Sequence, residues 1–354
     1  MIETEIVFVD WVPIDSKSDI RTGGHIRRYY TWTTLNKMVD SVIPFREKSG
    51  NINWKAVCRM FKKDSVLWVE YGCGGVAHFF VLLAYFIRSN KFIINVHDFA
   101  IQQKYVDEDA QSLKKIRLQL VERLLLKRAS TIILVCPGLL DYFTPKKNQK
   151  VIIMPPGVGE DELFTHPSNK IDKKNTIALY FGSMQRKGAI QSTIELFSEL
   201  KEWELHLIGL KEGAEILEKE NVNYLGSVSH DKLADILSNA DAILIPYPKN
   251  DYVDKAMPIK LGYALKSCKP VIATKLRGLS EYMSMVGLEG NVIYVEEWNL
   301  GSLKAALDKV QMLNIDVNKT IERLKPTAWE PRFEKVVKIA LGTSRTTHDR
   351  MEWI

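Results

Sequence analysis

Cysteine is scarce in this chain, and what there is lies scattered. Cys58, Cys73, Cys136 and Cys268 form no CxxC pair and share no ligand spacing with histidine. That pattern argues against a disulfide framework and against a metal site, and it fits a reduced, cytoplasmic protein. Long apolar runs are missing as well. The most hydrophobic stretch, VAHFFVLLAYFI at 76–87, is far shorter than the roughly 20 residues of a membrane span, so a buried helix between two strands is expected there. No basic, apolar leader opens the sequence, since MIETEIVFVDWVP is acidic and then strand-like. The dinucleotide fingerprint GxGxxG is also lacking. TGGHIRR at 22–28 does not have its spacing and follows a long loop, which argues against a nicotinamide enzyme.

What is present is the composition of a globular protein, 46% hydrophobic and 26% charged. At 354 residues the chain exceeds the usual size of a single core, so two domains are expected. The net charge of +6 and a pI near 8.9 are mildly basic. They suit anionic ligands or an anionic membrane surface and carry no nucleic-acid signature.

Apolar β-type runs alternate with helical patterns. Strands are predicted at 5–10, 65–71, 91–97, 130–136 and 150–155, with helical patterns near 24–38, 53–63, 75–88, 110–128 and 138–143. The polar, lysine-rich PSNKIDKKNT at 167–176 reads as a linker. The alternation then restarts, with strands at 176–182, 203–209, 222–226, 242–247, 270–274 and 291–295. Short, continuously apolar strands separated by helices indicate parallel sheets covered on both faces. The expected fold class is therefore α/β, two doubly wound Rossmann-like domains facing across a cleft. The domains are placed at 1–168 and 169–328, with a helix at 329–341 returning to the first domain and a tail at 342–354. Ligands bind such sheets beyond the carboxyl ends of their strands.

Three constellations sit at those ends. Gly23-Gly24, followed by His25, Arg27 and Arg28, offers a glycine pair and cations before a helix; paired glycines let backbone N–H groups approach a phosphate. KFIINVHDFA (91–100) ends a strand in His97-Asp98, where a histidine can hydrogen-bond a sugar hydroxyl. LYFGSMQRKGAIQ (179–191) is a strand, a glycine turn and then Arg186-Lys187 before a helix N-terminus, where charge and dipole together favour a diphosphate. Further on, AMPIKLGYALKSCKPVIAT (256–274) is a loop, a helix started by Pro258 and a buried strand.

In order and spacing, FGSMQRKG (181–188), LHLIG (205–209), YLGSVSHDKLADIL (224–237), ADAILIPY (240–247) and the P-x-K-L helix with K-P-V-I-A-T (258–274) resemble the retaining GT-B glycosyltransferases, family 4 in particular. In the first half GG (23–24), HD (97–98) and MPPGVGEDELF (154–164) resemble that pattern more loosely. The resemblance implies an enzyme that transfers a hexose from a UDP-, GDP- or ADP-linked sugar, with retention and without a metal or other cofactor. It assigns the diphosphate to Arg186 and Lys187, the phosphate path to Gly182 and Ser183, and the base to Gly209 and Val228. Met257, Pro258 and Lys260 would meet the sugar, His97 would touch it, and Gly23 and Gly24 would close over the diphosphate. The family's pair of glutamates is replaced: Lys255 and Tyr263 stand at those positions, so Tyr263 would meet the ribose with its hydroxyl or its ring.

The acceptor is expected to be a glycan or lipid-linked oligosaccharide. NWKAVCRMFKKD (53–64) places Lys55, Arg59, Lys62 and Lys63 on one helical face, with Trp54, Val57, Met60 and Phe61 mainly opposite. Lys114, Lys115, Arg117, Arg123, Lys127 and Arg128 form a second basic cluster. Both suit peripheral contact with an anionic membrane, with Arg27, Arg28 and Arg59 on the acceptor side. Two other readings follow from the same residues. A non-catalytic sugar-nucleotide or glycan-binding protein would explain the missing glutamates, and a nucleotide-sugar epimerase would need more acid–base groups than His25, His97 and Asp98 supply.

Overall fold

The computed structural model describes residues 2–10, 13–20, 23–71, 75–89, 91–97, 113–164, 176–182, 187–209, 219–343 and 351–354. Arg21, Thr22, Asp98, Ser183, Arg186 and nearly all of the expected linker lie outside the described residues. Two compact units emerge. The first comprises residues 1–16, 26–155 and 330–354, the second 17–25 and 156–329. The chain thus changes unit between Pro155 and Pro156, ahead of the lysine-rich stretch expected to divide the domains. Hydrogen bonds explain it: Tyr282 Oη donates to Pro156 O at 3.0 Å and Trp329 N to Val158 O at 2.9 Å.

In the first unit β1 (Ile2–Val9), β2 (Val39–Pro44), β3 (Val66–Glu70), β4 (Phe92–Val96), β5 (Thr131–Leu134), β6 (Lys150–Ile153) and β13 (Met351–Trp353) form one parallel sheet in the order β13-β6-β5-β4-β3-β1-β2. Strands β4 and β5 are buried along their whole length, as continuous apolar runs covered on both faces must be. Two edge strands escape the sequence pattern. VDSVIP follows directly on α1 (Gly23–Met38) without a break, and the 342–354 tail supplies the three-residue β13.

Helices α2 (Trp54–Met60), α3 (Gly75–Arg88) and α4 (Leu113–Arg128) connect β2 to β3, β3 to β4 and β4 to β5. Right-handed crossovers that advance in one direction place successive helices on one face, and α2 touches α3 while α3 touches α4. Helix α3 is not buried all round as expected. Ala77, Val81 and Ala84 are buried, while Phe79 and Phe86 are exposed. Helix α2 stops at Met60, so Lys62 and Lys63 lie beyond it. Asn53 caps it by accepting from Lys55 N and Ala56 N, which leaves Trp54 at the first position, 66% exposed.

The second unit holds β7 (Thr176–Phe181), β8 (Trp203–Ile208), β9 (Val222–Tyr224), β10 (Ala242–Ile245), β11 (Val271–Thr274) and β12 (Val292–Val295) in the order β12-β11-β10-β7-β8-β9, all parallel. Counted within the unit this is the 3-2-1-4-5-6 order of dinucleotide-type sheets, and strand order reverses between β7 and β10. Helices α5 (Lys187–Ser198) and α9 (Leu300–Met312) bring Ile190, Ile194, Phe197, Leu303 and Leu307 against Leu205, Leu207 and Leu244 of this sheet. Helix α11 (Trp329–Leu341) belongs, from Glu330 onward, to the first unit.

Candidate functional site

Three neighbouring strands of the second sheet end in glycines that are tied to each other. Gly182 N donates to Ile208 O at 2.8 Å, and Gly209 N donates to Gly226 O at 3.0 Å. Gly209 adopts φ +148°, and a Cβ placed on it would come within 1.7 Å of Gly182 O. Only glycine permits so close an approach of two strand ends. The result is a side-chain-free backbone rim at the carboxyl ends of β7 and β8. Helix α5 starts beyond it with Lys187, and its first N–H groups lack intrahelical partners.

Lys260 stands at the reversal point between β7 and β10. Its Nζ donates to Phe181 O at 2.9 Å and lies 3.9 Å from the centre of the Tyr180 ring and 4.9 Å from that of Tyr247. Aromatic faces attract an ammonium, so these rings fix the cation beside Gly182. Lys260 is the first residue of α7 (Lys260–Lys266), and Met257 and Pro258 just before it are buried. Gly262 carries α7 onto the 156–159 loop, where a Cβ would meet Gly157 O at 2.7 Å. Val228 is half-buried in the loop between β9 and α6 (His230–Ser238).

Tyr263 is buried on the same helix, edge-on to His230 with ring centres 5.0 Å apart. His230 Nε2 lies 2.8 Å from Glu162 Oε1, while Glu162 Oε2 accepts Gly159 N at 3.0 Å. Lys17 approaches the same carboxylate at 3.7 Å and pairs with Asp161 at 2.7 Å. Tyr263 therefore packs into a polar knot formed by segments far apart in sequence. Burial alone would raise the Glu162 pKa. The hydrogen bond and charge of His230, the Gly159 N–H and Lys17 outweigh it and hold the group at about 2. A carboxyl depressed in the folded state stabilises the protein above its unfolded pKa and loses that contribution as pH falls toward the folded value. Glu162→Gln is thus expected to cost stability at pH 7, by about 3 kcal/mol at most, and much less near pH 3. Urea unfolding of both proteins at the two pH values checks this; an equal cost at both would remove the ionic account.

The first unit holds a buried polar chain. Glu70, at the carboxyl end of β3, accepts from Trp68 Nε1 at 2.9 Å and Asn95 Nδ2 at 3.0 Å. His97 Nε2 lies 2.8 Å from its Oε2. Burial opposes the charged carboxylate, but His97, Asn95 and Trp68 prevail and lower its pKa. Asn95 Oδ1 in turn accepts from Arg27 Nε and Nη2 at 3.1 and 2.9 Å, and Arg27 Nη1 donates to Met154 O at 2.8 Å. His97 is half-buried just past β4, where the sequence placed it, with its ring oriented by Glu70.

Several expected site residues take other roles. Arg27 is wholly buried, and that burial, only partly opposed by Glu70, lowers its pKa to about 9. It is a structural cation, spent on Asn95 Oδ1 and Met154 O. Arg28 pairs with the buried Asp10 at 3.0 Å, and Arg59 is held by Glu5 and Asp64. Neither offers an uncompensated charge. Gly23 and Gly24 form the first turn of α1 and are not part of an open loop. Lys187 begins α5, whereas Ser183 and Arg186 fall outside the described residues. Sequence reasoning missed Tyr180, Tyr247, Glu162, His230, Glu70 and Asn95. Asn95, the polar interruption of FIINV, was a readable signal.

Residues 161–325 match the family of glycosyl transferases group 1. The chain is a glycosyltransferase enzyme. No curated protein matches the glycosyltransferase by sequence. Among solved structures it resembles sucrose-phosphate synthase from Thermosynechococcus elongatus, with a TM-score of 0.69 at 13% identity over 97% of this chain and 100% of that one. It also resembles HepE of Anabaena in complex with UDP and glucose, with a TM-score of 0.61 at 14% identity over 97% and 100%. A third similar structure is the UDP-forming α,α-trehalose-phosphate synthase of Burkholderia xenovorans in complex with glucose-6-phosphate, at 0.62, 10% identity, 95% and 100%. At such identities the likeness establishes the fold, GT-B, of this glycosyltransferase. Among the described residues no helix is long and apolar enough to cross a membrane.

Proposed function

We propose that this enzyme transfers a hexose from a nucleotide-diphosphate sugar to a glycan or lipid-linked oligosaccharide, with retention of anomeric configuration. The observation that carries the donor reading is the glycine rim at the ends of β7 and β8, flanked by Lys260 and leading to the helix that Lys187 starts. Bare backbone beside fixed positive charge and a helix N-terminus suits a diphosphate. Negative charge builds on the departing nucleoside diphosphate as the glycosidic bond to it breaks. Arg186 and Lys187 are the proposed stabilisers of that charge, in place of a metal. Gly182 and Ser183 border the phosphates, Gly209 and Val228 the base, and Met257, Pro258 and Lys260 the sugar. His97, oriented by Glu70, is the proposed sugar contact of the first unit.

Tyr263 is proposed to act through its packing on His230 and not as an open hydroxyl, because its side chain is buried. The nucleotide is proposed to be UDP, a reading supported by the UDP-bound state of HepE. A thermal-shift comparison of UDP, GDP and ADP with their glucose or mannose conjugates tests the donor. A ligand that binds only the folded state raises the melting temperature, by an increment that grows with concentration over Kd. UDP is expected to give the largest rise, and no rise with any diphosphate would refute a donor site at the rim.

A further inference from the structure

The apolar residues left in water are unevenly placed. Among the described residues seven of the eleven large ones lie on α2, α3 and α4 of the first unit: Val76 with Trp54, Phe79, Phe86, Ile87, Leu120 and Leu124. These three helices are neighbours on one face of the sheet. Phe79 and Phe86 are seven residues apart on α3, and Leu120 and Leu124 four apart on α4, so each pair follows one outward stripe. Phe79 is 61% and Phe86 59% exposed. Exposed apolar groups scattered singly are ordinary, whereas a contiguous group on adjacent helices marks a surface that something covers.

Charge indicates what covers it. Across the whole chain 49 lysines and arginines face 43 acidic residues. Helices α2, α3 and α4 together carry nine lysines and arginines against one carboxylate, Glu122, and Glu122 is buried. The cations border the apolar stripe directly: Arg128 lies over the rings of Tyr85 and Phe86 at 5.5 and 5.4 Å, and Arg123 and Lys127 are exposed on the same helix. Aromatic and aliphatic side chains rimmed by cations, with no exposed carboxylate on the three helices themselves, complement a bilayer with anionic headgroups. A partner protein of mixed charge would call for acidic residues in the rim as well.

We infer that the face formed by α2, α3 and α4 seats the enzyme on an anionic lipid surface, with Phe79 and Phe86 inserted at the headgroup boundary and the cations of α4 on the phosphates. Binding of this kind is reversible, weakens with salt and is independent of donor binding.

Flotation of the full-length protein with vesicles tests it. Vesicles of phosphatidylcholine mixed with phosphatidylglycerol are expected to carry the protein at low salt and to release it at high salt, while phosphatidylcholine alone retains little. Arg123→Gln with Lys127→Gln should weaken binding about twenty-five-fold, roughly fivefold per cation. Phe79→Ser with Phe86→Ser should weaken it at least about tenfold. Both variants change exposed side chains, so their melting temperature and its rise with UDP should match the wild type. That separates failure of this surface from failure of the donor site. Equal binding to neutral vesicles, no binding to anionic ones, or full binding by both variants would overturn the assignment. So would a dimer of the lipid-free protein that Phe79→Ser with Phe86→Ser dissociates, since the face would then belong to a second copy of the chain.

Discussion

Replacing Gly209 with alanine is expected to leave little folded protein. The new Cβ would fall 1.7 Å from Gly182 O, well inside the contact distance of any carbon and oxygen. Relief requires moving the end of β7 away from β8, yet Gly182 N is bonded to Ile208 O and Gly209 N to Gly226 O. The φ of +148° adds backbone strain for any residue with a side chain. The combined cost is about 3 kcal/mol or more, a large part of the stability of an ordinary domain. Urea unfolding of whatever folds measures it. A variant with a wild-type unfolding midpoint would show that the two strand ends do not meet in this way.

Lys187→Ala should have the opposite profile, with folding preserved and turnover lost. Lys187 is the first residue of α5, a position where a side chain contributes little to helix stability, so the melting temperature should stay within a degree or two of wild type. If its ammonium meets the departing diphosphate, kcat/KM should drop about 10²- to 10³-fold, the usual loss when one stabiliser of developing charge is removed. Lys187→Arg should recover part of that loss. Transfer at near wild-type rate by Lys187→Ala would remove the lysine from the diphosphate site and leave the role to Arg186 and Lys260.

The strands were the legible part of this chain because they are buried on both faces. PVIAT is an uninterrupted apolar run and KFIINVH one broken only by Asn95, and the structure places β11 and β4 inside them. Strand β2 was not legible. Val39 and Ile43 are buried while Asp40 is exposed, a half-covered edge pattern that runs on from a helix with no glycine or proline between. The glycines of the candidate site could be read because each follows a strand. The knot around Glu162 could not, since Lys17, Glu162, His230 and Tyr263 meet only through the fold. Arg27 was misread for a related reason: helical spacing alone cannot tell an arginine facing water from one facing an asparagine such as Asn95. The exposure of Phe79 and Phe86 was hidden by a run so apolar that every side of α3 looked like an inside face.

The way the chain is shared between the two units has a bearing on synthesis. The first unit begins with β1 but takes its edge strand β13 and most of α11 from residues 330–354, while the second begins at Pro156 and also needs residues 17–25. A ribosome that has delivered residues up to 155 has made six of the seven strands of the first sheet, with the open edge of β6 exposed. That edge waits through the translation of the entire second unit before Met351–Trp353 arrives to pair with Val151–Ile153. Over that interval β6 offers unpaired N–H and C=O groups to any passing strand, and a holdase covering it would act at the moment when the nascent chain is most prone to aggregate.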